Sequence, residues 1–251
     1  MKVIFTGTGS GKASLKRNHS SFLISTRSYK LLVDAGDGIS KALLSARIPF
    51  NSINGILLTH LHADHYSGLA SLIVQMKMNK RKEQLDVFVH KDISGTVRNF
   101  IYQSYLFEEK LNFKLNFIEL EENITLPVNE KFSFTFRQNS HLDEYLQFDH
   151  SKKLKFPCGS FLFTVNGKNI FYTGDIGSGR DLRLFEDQEL HYAISEITHV
   201  EMKEIINFYR TAKPKILFLT HISEEIKVKN LIPGKLQGKI LLAYDGLTVR
   251  L

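Results

Sequence analysis

The chain has 251 residues, 43% of them hydrophobic and 24% charged, the balance of an ordinary soluble globular protein long enough for one large α/β domain. No apolar run approaches the roughly eighteen residues of a bilayer span, and a single cysteine, Cys158, excludes an internal disulfide and points to a reducing, cytoplasmic setting. The net charge of +7 favours anionic partners such as phosphodiesters, nucleotides or short nucleic acid.

The opening stretch, MKVIFTGTGSGK, has an apolar run too short for a signal-peptide core. It reads as a first strand entering a glycine loop. Gly7, Gly9 and Gly11 resemble a phosphate loop, but no Lys-Ser/Thr pair follows, so a tight turn is expected. SSFLIST and YKLLVDAG follow as strands, then a helix over 37–46, the strand GILLTH and a helix over 66–79. LDVFVH precedes a helix over 92–108. KFSFTFRQ, GSFLFTV and KNIFYTGD are the next strands. A helix over 180–187, the strand YAISEIT, a helix over 199–212 stopped by Pro214, and the strands KILFLTH and KILLAYDG complete the chain. Both halves share a grammar of strands followed by helix. The pattern predicts an α/β architecture of two packed sheets with helices outside, a four-layer αββα sandwich forming one domain over 1–251. Basic clusters at Lys77–Lys82 and Lys152–Lys155 are expected as solvated loops.

Four strands run toward a side chain able to bind metal: His60, His141, Asp175 and His221. The densest stretch is ILLTHLHADHYSG, with His60, His62, Asp64 and His65 in six positions. In an extended segment, residues i and i+2 point the same way, so His60 and His62 can chelate one ion. Asp64 and His65, at the start of the next helix, reach a second point nearby. Imidazole and carboxylate donors suit zinc and other first-row divalent ions.

THLHADH, together with FTGTGSG, RNHSSFLI, LLVDAGDG, YTGDIG and LTHIS, resembles the metallo-β-lactamase fold superfamily. The likeness is greatest to its ribonuclease Z-like and small-phosphodiesterase branch and runs from about residue 3 to residue 250. It implies that His60, His62 and His141 hold one ion, that Asp64, His65 and His221 hold a second, and that Asp175 bridges them. His150 is the alternative to His141. Two ions, zinc first with manganese or iron as alternatives, would lie about 3.5–4 Å apart, share a hydroxide and clamp a phosphoryl oxygen. Asp64 would assist the water. Asp34 would support a ligand without binding metal.

His199 matches a non-ligand histidine that such phosphodiesterases carry ahead of their LTH. There it serves the leaving oxygen, a role that suits an imidazole. The competing reading is a cap on the helix over 199–212. Glu196 lies three residues earlier and can orient the ring. Cys158 is expected as a packed thiol, and His19, His90 and His191 as surface or core residues.

The function implied is a dizinc phosphodiesterase acting on small or cyclic phosphodiesters, nucleotides or short oligonucleotides. The alternatives are a ribonuclease Z-type tRNA 3′-processing endonuclease and a hydrolase of carbon esters, lactones or thioesters. Ribonuclease Z carries a long basic arm, in most members between the third-motif histidine and the bridging aspartate. Here His141 and Asp175 lie 34 positions apart. Two strands occupy much of that interval, leaving residues 142–157 spare, too few for an arm. No membrane partner is expected, and the oligomeric state, a homodimer included, is left open.

Overall fold

The short apolar runs of the sequence become strands of two seven-stranded mixed sheets in a computed structural model that describes residues 1–223 and 231–251. The chain divides into two compact units, Met1–Leu120 with Tyr244–Leu251, and Glu121–Ala243.

The first unit contains β1 (Lys2–Gly7), β2 (Ser21–Ser25), β3 (Lys30–Val33), β4 (Gly55–Leu57), β5 (Leu85–His90) and β6 (Leu115–Leu120). β1, β2 and β3 pair antiparallel, and β3 through β6 run parallel. A parallel pair needs a crossover, and the helices supply it. α1 (Ile39–Ser45) buries Ile39, Ala42 and Leu43, one helical face by spacing. α2 (Ala63–Tyr66) is a single turn, and α3 (Leu69–Met78) buries Leu69, Leu72, Ile73 and Met76. Each such side chain contributes about 1.5–3 kcal/mol on leaving water. α4 (Lys91–Gln103) starts where the His90 ring accepts a bond from the Asp92 amide at 3.2 Å.

The basic cluster at 77–82 departs from the expected solvated loop, since Lys77 and Met78 end α3 and Arg81 is buried. Arg81 is 1% exposed, and its guanidinium donates to the carbonyls of Glu83 (2.7 Å), Ile53 (2.8 Å) and Gln84 (2.7 Å). A buried guanidinium needs such partners. In 152–155 all four residues are exposed.

The second unit contains β7 (Thr125–Asn129), β8 (Phe132–Gln138), β9 (Gly159–Val165), β10 (Lys168–Tyr172), β11 (Tyr192–Glu196), β12 (Ile216–Thr220) and β13 (Ile240–Leu242). β7 through β10 pair antiparallel, and β10 through β13 run parallel. β8, β10, β11 and β12 therefore end at one edge of the sheet. α5 (Met202–Ala212) buries Ile205, Phe208 and Tyr209 and opens with a capping box between Glu201 and Glu204. The expected helix over 180–187 is only a 3-10 turn, Asp181–Arg183, because the Asp181 side chain bonds amides outside a helical frame. β14 (Thr248–Arg250) returns to the first sheet beside β1. Among the described residues, no helix is long and apolar enough to cross a membrane.

Candidate metal centre

In the first unit the glycine loop leaves β1, Asp34 follows β3, and His60 lies three residues beyond β4. Carboxyl ends of parallel strands leave room for a site because their loops turn away from the sheet there. The ligand-type atoms of His60 and His62 lie within 4.8 Å of one another, as do those of Asp64 and His65. The His60 ring centroid is 4.6 Å from that of His62 and 4.2 Å from that of His65. His65 Nε2 is 3.3 Å from Asp64 Oδ2.

Packing brings these residues together. The Ala35 amide donates to the His65 carbonyl at 2.7 Å, pressing the loop after β3 against α2. A Cβ on Gly36 would fall 1.8 Å from the Asp64 carbonyl oxygen, so only glycine allows this approach. The Gly11 backbone also reaches the site, since a Cβ there would stand 3.1 Å from Asp64 Oδ2. The turn that carries it is tied by the Gly9 amide to the Asn18 carbonyl at 2.8 Å.

Hydrogen bonds fix the tautomers of the buried rings. Asp34 is fully buried and accepts from the Thr59 amide (2.9 Å), the Thr59 hydroxyl (3.0 Å) and His65 Nδ1 (2.8 Å). Burial pushes its carboxyl above the ordinary range, while His65 and Thr59 pull it back. The Thr59 hydroxyl gives its one proton to Asp34, so it receives the Nδ1 proton of His60 at 3.0 Å. Both rings are thereby left with a lone pair on Nε2.

In the second unit His141 lies three residues beyond β8, Asp175 three beyond β10, and His221 directly after β12. Asp175 Oδ2 is 3.9 Å from His141 Nε2 and 3.2 Å from His221 Nε2. The Thr198 hydroxyl donates to the His221 carbonyl at 2.5 Å and so accepts from His221 Nδ1 at 3.1 Å. A third ring is thus turned with Nε2 as acceptor. The His141 amide is held by Asn139 Oδ1 at 3.1 Å. His150, the alternative ligand, sits at an exposed turn.

Glu196 ends β11, fully buried. It accepts from the amides of Thr198 (2.6 Å) and His199 (3.0 Å) and from His199 Nδ1 (3.1 Å). The His199 side chain is 36% exposed, with its ring 4.7 Å from that of His141 and 5.5 Å from that of His221. It does not cap α5, whose cap is Glu201. Cys158 is buried and donates to the Asp175 carbonyl at 3.5 Å. The His191 ring accepts from the Asn169 amide, and His19 Nδ1 pairs with the Ser10 carbonyl. Thr59 and Thr198, which orient rings, carried no signal in the sequence beyond preceding a histidine.

The donor set fits divalent metal. Metal-binding histidines characteristically anchor their second nitrogen on a carboxylate or another fixed acceptor, as His60, His65 and His221 do here. A family model described as Anti-Pycsar protein Apyc1 matches residues 1–241. The ribonuclease Z of Methanococcus aeolicus is 27% identical over 192 residues, covering 74% of this chain and 55% of that protein. The chain thus spans about half the length of this curated relative. The metallo-β-lactamase fold protein YhfI of Bacillus subtilis superposes with a TM-score of 0.78 at 20% identity, covering 99% of this chain and 98% of that one. The short form of human tRNase Z gives 0.74 at 21%, covering 100% and 99%. These likenesses show the fold, an α/β sandwich.

Proposed function

We propose that this chain, which belongs to the Anti-Pycsar protein Apyc1 family within the ribonuclease Z-like branch of the metallo-β-lactamase superfamily, is a metal-dependent phosphodiesterase. It acts on small or cyclic phosphodiesters, nucleotides or short oligonucleotides. The observation that carries the reading is that Nδ1 of His60, His65 and His221 is held by Thr59, Asp34 and Thr198, which suits Nε2 to the ligand role. His60, His62 and His141 would hold one divalent ion and Asp64, His65 and His221 another, with Asp175 shared. Zinc suits these donors first, with manganese or iron as alternatives. Such a pair of ions, when bound, supplies an activated water and charge neutralisation at phosphorus.

The protein's own residues do the rest. Asp64 receives the proton of the attacking water. His199, partly exposed and with Nδ1 held by Glu196, acts as the imidazolium that the Glu196 carboxylate supports, giving its Nε2 proton to the leaving oxygen and becoming neutral. Residues 1–251 serve as one hydrolase domain in the cytoplasm. Hydrolysis of a carbon ester or lactone has less use for His199.

The interval between His141 and Asp175 bears on substrate size. β9 and β10 take up twelve of its residues, and the stretch ahead of them is a 3-10 segment, Asp143–Phe148, with an exposed loop. Its lysines can steer small anions, but it is too short to grip a tRNA body. The test is a screen of metal-loaded protein against bis(p-nitrophenyl) phosphate, cyclic nucleotides, a lactone and a tRNA precursor. Turnover of the small phosphodiesters with weak precursor processing is expected. Tight, salt-sensitive precursor binding with accurate 3′-trailer cleavage would overturn the substrate reading.

A further inference from the structure

Asp181 stands outside the ligand sets proposed above. It is 7% exposed, and its Oδ2 accepts from four donors. The Ser140 hydroxyl and amide lie at 2.7 and 3.3 Å. The amides of Gly177 and Ser178 lie at 3.0 and 3.3 Å. Ser140 directly precedes His141, while Gly177 and Ser178 closely follow Asp175. A carboxylate that served only its own turn would engage the two nearby amides and no more. Here half of its bonds come from a loop about forty residues away in the chain. The same two loops meet at the backbone, where a Cβ on Gly177 would fall 2.4 Å from the Ser140 carbonyl oxygen.

We propose that Asp181 is a positioning residue for the metal centre, strapping the His141 loop to the Asp175 loop and setting the spacing of those two ligands. The inference rests on the metal reading above and adds a residue to it. One carboxylate oxygen holds both loops, most tightly through the Ser140 hydroxyl at 2.7 Å, and the Gly177 contact leaves no slack between them. Loss of a group that orients ligands typically lowers metal affinity by about 10–100-fold.

The test uses metal-free full-length protein, titrated with zinc against a chromophoric chelator, and the visible spectrum of the cobalt-loaded form. Asp181→Ala should weaken one zinc site by about 10–100-fold and shift the cobalt bands. Asp181→Asn keeps an acceptor oxygen in place and should recover most of the affinity. Gly177→Ala, which wedges the loops apart, should reproduce the loss. Asp187→Ala, an exposed carboxylate of the same segment, should behave as wild type. Should Asp181→Ala not fold, Ser140→Ala and Gly177→Ala decide the matter. Wild-type affinity and spectrum in folded Asp181→Ala, or in both of those substitutes, overturn the strap while leaving the metal reading intact. A wild-type protein that takes up no zinc overturns the metal reading and the strap with it.

Discussion

His199 and His65 show how one side chain takes different work from its surroundings. Both offer Nδ1 to a buried carboxylate, Asp34 for His65 and Glu196 for His199. His65 is fully buried, whereas His199 is 36% exposed and can meet a substrate atom. His199→Ala should therefore cut turnover of poor leaving groups by about 10²–10⁴-fold, the scale of general acid–base catalysis, with metal content unchanged. Steady-state kinetics should show a smaller deficit for p-nitrophenolate, which leaves without a proton. An equal loss across leaving groups contradicts the role. The candidate ligands could be read from strand-end positions and from the spacing of THLHADH, and His199 from the family resemblance. The groups that aim them could not. Thr59, Thr198 and Asp181 are ordinary polar residues whose partners become neighbours only through folding, 25, 23 and 41 positions away.

Among the elements, runs with dense apolar pattern formed as expected and edge pieces did not announce themselves. β7 carries Pro127 and lies at a sheet edge, where proline is tolerated and the pattern is weak. β14 has three residues, and β6, also an edge, mixes Asn116 and Glu119 with its apolar positions. The expected helix over 180–187 failed because Asp181 bonds loops in place of a helical turn. Tyr29, just before β3, donates to Asp86 on β5 at 2.6 Å. Burial first, then Asp86, holds the phenol well above the ordinary tyrosine range. A proton held more tightly by the folded state gives stability that is full below a pH of about 10 and lost as pH rises beyond it. Urea titrations at pH 8 and pH 11 should show a larger fall for wild type than for Tyr29→Phe. Parallel falls contradict the coupling.

At the scale of the whole molecule, the α/β sandwich was legible because each half repeats strands and helix in the same order, and the solved relatives share that fold over essentially the full chain. The division into two compact units was not legible, since no linker composition marks residue 121. The folded chain is expected to bind a pair of ions. Asp175, proposed as the shared ligand, should matter to both, and His221 to one. The direct measurement is the metal content of purified, metal-supplemented protein by elemental analysis. Two ions per chain are predicted, with both weakened in Asp175→Ala and chiefly one in His221→Ala. Fewer than one ion per chain in the wild-type protein would contradict the account.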